Sequence, residues 1–138
     1  MKKEVRVGII RWDSYTDSNL YYSYYGAKAL SPKQYQEKVP FFGKIINGEK
    51  VEFPRYTEET FNKEMEYAEK AGIDYFIWFF YPATTGSEDV EGHSAHTVDE
   101  YGEPCCELDM VRRIYRKSKN KRNIKMSTHI NPRLNVRI

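Results

Sequence analysis

The clearest alternation of apolar and polar positions lies in residues 57–82, where it predicts one helix followed at once by one buried strand. Apolar residues recur at helical spacing from Phe61 to Ala71, and charged residues fill the other faces. Thr57 is suited to cap this helix, and Gly72 to end it. Residues 75–81 are aromatic or Ile without a polar alternate position, which is typical of a central parallel strand covered on both faces.

Weaker patterns predict the remaining strands and helices. Residues 5–10 and 124–130 carry the β-branched and alternating apolar positions of two further strands. Ser31 before Pro32 predicts a short helix over 32–38, and residues 109–118 have the spacing of a second amphipathic helix. The chain therefore reads as βαβαβ.

Three segments between these elements carry different signals. Residues 16–30 are rich in tyrosine without a clear period and predict a long loop. The Asn47–Gly48 pair favours a small hairpin between residues 44–46 and 50–53. Residues 83–104 are polar and contain several glycines, so we expect a second long loop of the kind that often carries function.

A βαβαβ order fits either an open doubly wound sheet or the start of a (β/α)8 barrel. A full barrel needs about 250 residues, so 138 residues supply only its first three strands. Three parallel strands with both edges open would expose unpaired backbone groups. The fold class expected is therefore α/β, as the incomplete amino-terminal βαβαβ portion of a (β/α)8 (TIM) barrel. Residues 1–138 would form one domain whose missing partner is the carboxyl-terminal part of the barrel.

Composition excludes some classes of function and favours another. The net charge of +2, from 22 basic and 20 acidic residues, does not predict nucleic acid or an anionic membrane as the main partner. No apolar run is long enough for a signal peptide or a membrane span, so a cytoplasmic location is expected for the chain as written. Aromatic residues make up 15% of the chain, including 12 tyrosines, and their flat faces suit sugar rings or bases.

Five residues stand at or just past the predicted carboxyl ends of strands, the face on which barrel enzymes build their sites. They are Trp12, Asp13, Tyr81, His129 and Asn131. The aromatic residues could stack on a pyranose ring while the polar ones bond its hydroxyl groups. The alternative is that Trp12 and Tyr81 belong to the core and the polar residues only tie loops down.

Other candidate chemistry has less support, and we expect neither a metal nor a cofactor. His93, His96 and Asp99 precede the adjacent cysteines Cys105 and Cys106, but no pair has a recognised ligand spacing. Cys105 lacks an identifiable base that would make it a nucleophile. The long second loop holds several carboxylates from which no glycosidase pair can be chosen: Glu88, Asp89, Glu91, Asp99, Glu100 and Glu103.

A run of basic residues spans the second helix and its exit, and it includes Arg112, Arg113, Arg116, Lys117, Lys119, Lys121 and Arg122. Cations near the end of a helix favour its dipole, so the run predicts a solvated face, with phosphate binding as the alternative. Asp74, before the central strand, stands at the end where barrels keep stability, and we predict a structural role for it.

Four segments resemble the amino-terminal part of bacterial glycoside hydrolase family 99-like barrels, a set that includes the WbsX-like proteins of polysaccharide gene clusters. They are VGIIRWDSY, LSPKQYQEKVPFF, AEKAGIDYFIWFFYP and IKMSTHINP. The resemblance implies a (β/α)8 glycosidase that acts on mannose-type or related glycans without a metal. Its acidic catalytic residues belong to later strands, so no catalytic residue is carried over and this chain alone is expected to be inactive.

Two hypotheses follow from the sequence. The first is a glycan-processing protein, a portion of a glycoside hydrolase that binds an oligosaccharide or polysaccharide. The alternative is a non-catalytic, aromatic-rich module that binds carbohydrate or nucleic acid.

Overall fold

A computed structural model describes residues 5–84 and 92–129. In chain order its elements are strand β1 (Gly8–Arg11), helix α1 (Tyr21–Leu30), a 3-10 helix (Lys33–Lys38), strands β2 (Lys44–Ile46) and β3 (Lys50–Glu52), helix α2 (Glu58–Lys70), strands β4 (Tyr75–Phe79), β5 (His96–Val98) and β6 (Pro104–Cys106), a 3-10 helix (Glu107–Asp109), helix α3 (Met110–Lys117) and strand β7 (Lys125–His129).

The main sheet has three parallel strands in the order β1-β4-β7, with β4 in the centre. Gly8 pairs with Tyr75 and Arg11 with Trp78 on one side of β4, while Phe79 pairs with His129 on the other. The three predicted strands are thereby confirmed, and the chain is a mixed α/β protein with a parallel sheet. All three strands present their carboxyl ends at the same edge of the fold.

The main core lies between one face of this sheet and the helices α2 and α3. Phe61 and Met65 from α2 meet Ile114 and Tyr115 from α3 over Trp78 of β4. Within the described residues, β4 alternates between buried and half-buried positions, because the helices cover only this face. The expectation that both faces of β4 would be covered was wrong. All five residues of the strand are apolar or aromatic, so the sequence does not distinguish the buried positions from the half-buried ones.

The opposite face of the sheet and the outer edge of β1 are open in the described part of the chain. Ile10, which pairs with Ile77 on that face, is 65% exposed. Val7 and Ile9 along β1 are also exposed. An apolar strand that is exposed on a face and an edge is a surface that further structure normally covers.

The ends of α2 and the start of β4 form as the sequence predicts. The hydroxyl oxygen of Thr57 accepts a hydrogen bond from the backbone N–H of Thr60 at 3.3 Å, and Gly72 takes the left-handed conformation at φ +79°. A carboxylate oxygen of Asp74 accepts from the backbone N–H of Val7 at 2.6 Å, which fixes β1 beside β4. The structural role predicted for Asp74 is confirmed.

Residues 16–30 were predicted to be a loop, and this was wrong, because residues 21–30 form helix α1. Its N-cap position is Leu20, which offers no side-chain cap, and the first turn holds no acidic residue. The usual start signals are therefore missing from the local sequence. The helix instead packs Ala27 against Val51 and Phe53 of the hairpin side, in a second, smaller core.

Both hairpins decorate the main sheet. The predicted β2–β3 hairpin is confirmed, with Asn47 and Gly48 both at positive φ in its turn. Part of the predicted loop 83–104 is instead a second hairpin, in which Thr97 of β5 pairs with Cys105 of β6. Its three-residue strands are too short to show an alternating pattern, which is why the sequence did not reveal them. No helix in the described ranges is long and apolar enough to cross a membrane.

Candidate functional site

Trp12 and Tyr81 come together just past the carboxyl ends of β1 and β4. Trp12 is 56% exposed, and its indole lies close enough to the hydroxyl of the half-buried Tyr81 to affect the pKa of that hydroxyl. Burial raises the pKa of Tyr81, although the Trp12 indole acts to lower it. The hydroxyl therefore stays protonated at neutral pH and can act as a hydrogen-bond donor at this edge of the sheet.

Trp12 also begins a continuous row of aromatic side chains along helix α1. The successive ring centroids lie 5.9 Å (Trp12–Tyr22), 5.0 Å (Tyr22–Tyr21), 5.3 Å (Tyr21–Tyr25), 5.2 Å (Tyr25–Tyr24) and 3.9 Å (Tyr24–His93) apart. We call these six residues the aromatic row. All are exposed or half-buried, so the row is a surface feature.

The spacing of the tyrosines in residues 21–25 is a sequence signal for the aromatic row. Tyr21, Tyr22, Tyr24 and Tyr25 are spaced one, three and four residues apart, which places them on one broad side of a helix. Because residues 16–30 were predicted to be a loop, this spacing carried no meaning. The helix is what brings the four tyrosines onto one surface.

Asp13 lies beside Trp12 and Tyr81, but its carboxylate is engaged by the protein itself. One oxygen accepts from Arg11 Nε at 3.1 Å and Nη2 at 2.6 Å, and the other accepts from Trp78 Nε1 at 2.8 Å. The Asp13 side chain is 10% exposed. The small cavity that Asp13 and Trp12 line measures about 160 Å³, below the roughly 300 Å³ at which ligand sites begin.

Arg11 is the centre of this buried polar group. Its guanidinium lies 4.7 Å from the ring centroid of Phe76 and pairs with Glu64 at 2.9 Å, while Tyr56 donates its hydroxyl hydrogen to Glu64. Burial alone would lower the pKa of Arg11, but Asp13 and then Glu64 raise it above its ordinary value. The arginine is thus permanently charged, and Asp13 serves to neutralise it.

The other two predicted site residues are the last residue of β7, His129, and Asn131, which follows it in the sequence. His129 is the last residue of β7 and pairs with Phe79, which places its backbone at the same edge of the sheet as Trp12. Asn131 lies outside the described residues. The structure therefore brings Trp12, Asp13 and Tyr81 together and places the backbone of His129 at the same edge.

A buried carboxylate, Glu107, binds the start of helix α1, although it lies 84 residues beyond Ser23 in the sequence. Its oxygens accept from the backbone N–H groups of Tyr22 at 2.8 Å and Ser23 at 2.7 Å, and from the Ser23 hydroxyl. Glu107 is 0% exposed. Burial raises its pKa, while the three hydrogen bonds act to lower it. Glu107 therefore acts as the missing cap of α1 and positions the aromatic row.

The residues considered for a metal site each have separate partners. His93 stacks on Tyr24, with Nδ1 3.1 Å from the carbonyl oxygen of Asn19, and His96 Nδ1 lies 3.0 Å from the carbonyl oxygen of Ala83. Asp99 pairs with Arg113 at 3.2 Å. Within residues 5–84 and 92–129, no group of three His, Cys, Asp or Glu side chains is arranged to hold a metal ion.

Asp99 gives a prediction about acid stability. It is buried, and although burial raises its pKa, hydrogen bonds from the backbone of Glu103 and Tyr101 and the pairing with Arg113 lower it overall. A lowered folded-state pKa contributes stability above the ordinary pKa, and this contribution is lost as pH falls through the folded value. We expect the gap in unfolding free energy between the wild type and Asp99→Asn to shrink below about pH 4. Urea titrations at pH 6 and pH 2.5 measure this gap, and a constant gap would contradict the assignment.

Among the described residues of the second loop and just after it, the two cysteines and Glu100 are engaged by the protein itself. Cys105 and Cys106 are free and buried, and burial raises both thiol pKa values to about 11, so neither is a thiolate at neutral pH. Glu100 accepts from the backbone N–H of Glu58 at 2.7 Å. Glu88, Asp89 and Glu91 lie outside the described residues.

Most of the basic run is exposed, as a solvated face requires, but part of it is engaged internally. Arg112 is buried and pairs with Asp109 at 2.6 Å, and Arg113 pairs with the same carboxylate at 3.0 Å. Arg122 pairs with Glu69 at 2.9 Å. Sequence shows only the basic residues in the run, whereas folding brings distant acids to them. Three of the seven cations in the run are therefore compensated by carboxylates.

The chain was compared with the profiles of protein families, with curated proteins and with solved structures, and none of the three comparisons gives a match.

Proposed function

We propose that the chain is a glycan-processing protein, the amino-terminal portion of a (β/α)8 glycoside hydrolase that acts on mannose-type or related polysaccharides. The observation that carries the proposal is the exposed Trp12, which lies beside Tyr81 at the carboxyl end of the parallel sheet and begins the aromatic row. An aromatic surface edged by hydroxyl groups suits a pyranose ring, which presents an apolar face and a polar rim.

The sheet supports the barrel part of this proposal. Its strands are parallel and follow one another in sequence order, and the described crossover helices α2 and α3 share one core on one face. A doubly wound sheet places helices on both faces, whereas a barrel places them all outside. The open face and free edge of β1, with Ile10 exposed, would then be the barrel interior and the point of closure.

The catalytic carboxylates are assigned to parts of the barrel beyond these three strands. Asp13 stands at the right end of the sheet, but its two oxygens are occupied by Arg11 and Trp78. A glycosidase also needs a second carboxylate about 5 to 9.5 Å away. The chain alone is therefore proposed to bind glycan without hydrolysing it.

The second candidate is a non-catalytic module that uses the same aromatic row to bind carbohydrate. The row itself favours this possibility, since binding needs no acid or base. The basic run contributes less to a nucleic-acid surface than its sequence indicates, because three of its seven cations, Arg112, Arg113 and Arg122, are paired with carboxylates.

Trp12→Ala tests the proposed function. We expect the variant to bind mannotriose about tenfold more weakly, because it loses the stacking surface beside Tyr81. Its free energy of unfolding should fall by less than about 1 kcal/mol, since Trp12 is more than half exposed. Calorimetric titration measures the first quantity and urea denaturation the second.

Tyr35→Ala is the matched control, because Tyr35 is an exposed aromatic residue on the 3-10 helix, outside the aromatic row. It should leave mannotriose affinity unchanged. Equal affinities for wild type and Trp12→Ala, or no binding by either, would contradict the proposal. Hydrolysis by a longer chain carrying further βα units, but not by a chain ending at residue 138, would separate the enzyme from the binding module.

A further inference from the structure

A pocket of about 510 Å³ lies between helix α1 and the β2–β3 hairpin, at the end of the aromatic row remote from Trp12. Its volume falls within the range of small-molecule sites, roughly 300 to 1,000 Å³. Tyr24 and His93, the last pair of the aromatic row, form part of its wall. The pocket and the row are therefore parts of one continuous surface along α1, which at ten residues spans about 15 Å.

The charged side chains of this pocket leave an excess of positive charge. Four cations line it, Lys28, Lys44, Lys50 and Arg55, against the two carboxylates Asp17 and Glu52. Both carboxylates are engaged, because Glu52 pairs with Lys50 at 2.8 Å and Asp17 with Arg55 at 3.7 Å. In the part of the chain that the structure describes, no carboxylate lies within ion-pair distance of Lys28 or Lys44.

We infer that this pocket binds a hexuronic acid residue of the glycan, with the sugar carboxylate between Lys28 and Lys44. The inference rests on the proposed function, because it takes the aromatic row to be a glycan-binding surface. Tyr24 and His93 stack on each other and form an aromatic wall against which a sugar ring can pack, with Lys28 Nζ 5.9 Å from the Tyr24 ring centroid. Lys28 from α1 and Lys44 from β2 both line the pocket, and two ammonium groups suit a carboxylate. The glycan recognised would thus be acidic rather than neutral.

A uronate fits this pocket better than a phosphate does. Strong phosphate sites use free backbone N–H groups at a helix N-terminus. The N-terminus of α1 is closed to such a ligand, because Glu107 occupies the N–H groups of Tyr22 and Ser23. Two lysine side chains then remain as the anion-binding groups of the pocket, and they act as point charges without the backbone N–H groups that strong phosphate sites use.

The test compares two trisaccharides that differ only at C6, a β-1,4-linked mannuronate trisaccharide and β-1,4-linked mannotriose, titrated into the 138-residue chain. The wild type should bind the acidic sugar at least about tenfold more tightly at low salt, and this preference should shrink as ionic strength rises. Lys28→Gln/Lys44→Gln should abolish the preference while changing mannotriose affinity less than about twofold. Amide signals of Lys44 and His93 should shift with the acidic sugar.

Lys33→Gln/Lys38→Gln removes the same charge from exposed positions on the neighbouring 3-10 helix and should keep the preference. A preference that survives Lys28→Gln/Lys44→Gln overturns the inference, as does stronger displacement of the mannuronate by AMP than by free glucuronate. Trp12→Ala separates the two proposals: if it weakens both sugars while the lysine pair has no effect, the proposed function stands and the pocket does not. Failure of either sugar to bind would overturn both.

Discussion

Replacing Asp13 by Ala is expected to lower the free energy of unfolding by about 3–5 kcal/mol, the cost of leaving a buried charge without its partner. Asp13 accepts hydrogen bonds from Nε and Nη2 of Arg11, and it also accepts one from the indole N–H of Trp78. After the substitution, the Arg11 guanidinium keeps its ion pair with Glu64 but loses both hydrogen bonds to Asp13. The buried indole N–H of Trp78 loses its acceptor.

Urea denaturation of Asp13→Ala beside Glu37→Ala, an exposed carboxylate on the 3-10 helix, measures this effect. The Glu37 variant should change stability by less than about 0.5 kcal/mol. Arg11→Met/Asp13→Ala should recover part of the loss, because it removes the charge that was left unpaired. A stable Asp13→Ala protein that has lost mannotriose binding would instead place Asp13 in the binding site.

Glu107→Ala is expected to cost about 3 kcal/mol and to reduce the helix signal in far-UV circular dichroism. The substitution leaves the buried N–H groups of Tyr22 and Ser23 and the Ser23 hydroxyl without their acceptor. With no local cap, α1 keeps only the hydrogen bond from the Tyr21 N–H to the carbonyl oxygen of Ser94, at 3.1 Å, to satisfy its first turn. The aromatic row should loosen with it, so mannotriose affinity should fall as well.

Glu103→Ala is the matched control, since Glu103 is an exposed carboxylate four residues before Glu107, in the turn between β5 and β6. It should leave both the helix signal and the unfolding free energy nearly unchanged. If Glu107→Ala unfolds at the same urea concentration as the wild type, Glu107 is not the cap of α1.

The sequence predicts those elements whose signals are local. The Thr57 cap, the Gly72 stop and the Asn47–Gly48 turn each act within a few residues, and all three form as predicted. The β1, β4 and β7 strands also pair in the expected parallel order. The meeting of Trp12 and Tyr81 follows from that order, because strand polarity fixes which ends meet.

Features that depend on distant partners could not be predicted. Helix α1 lacks a local cap, and its acceptor Glu107 lies 84 residues beyond Ser23. Asp13 stands next to Trp12 at a site-like position, yet its engagement with Trp78 spans 65 residues and shows only in three dimensions. Sequence therefore places Asp13 and Trp12 equally well in a site, although the Asp13 carboxylate is bound to core residues and the Trp12 indole is exposed.

The contact between Glu107 and α1 also sets an order of events during synthesis. A ribosome releases residues 21–30 long before residue 107, and a ten-residue helix without its cap is only marginally stable in water. Residues 21–30 thus leave the exit tunnel without a stable helix, and α1 becomes stable only after Glu107 has been synthesised. The helix that carries four of the six residues of the aromatic row is therefore made early and becomes ordered late.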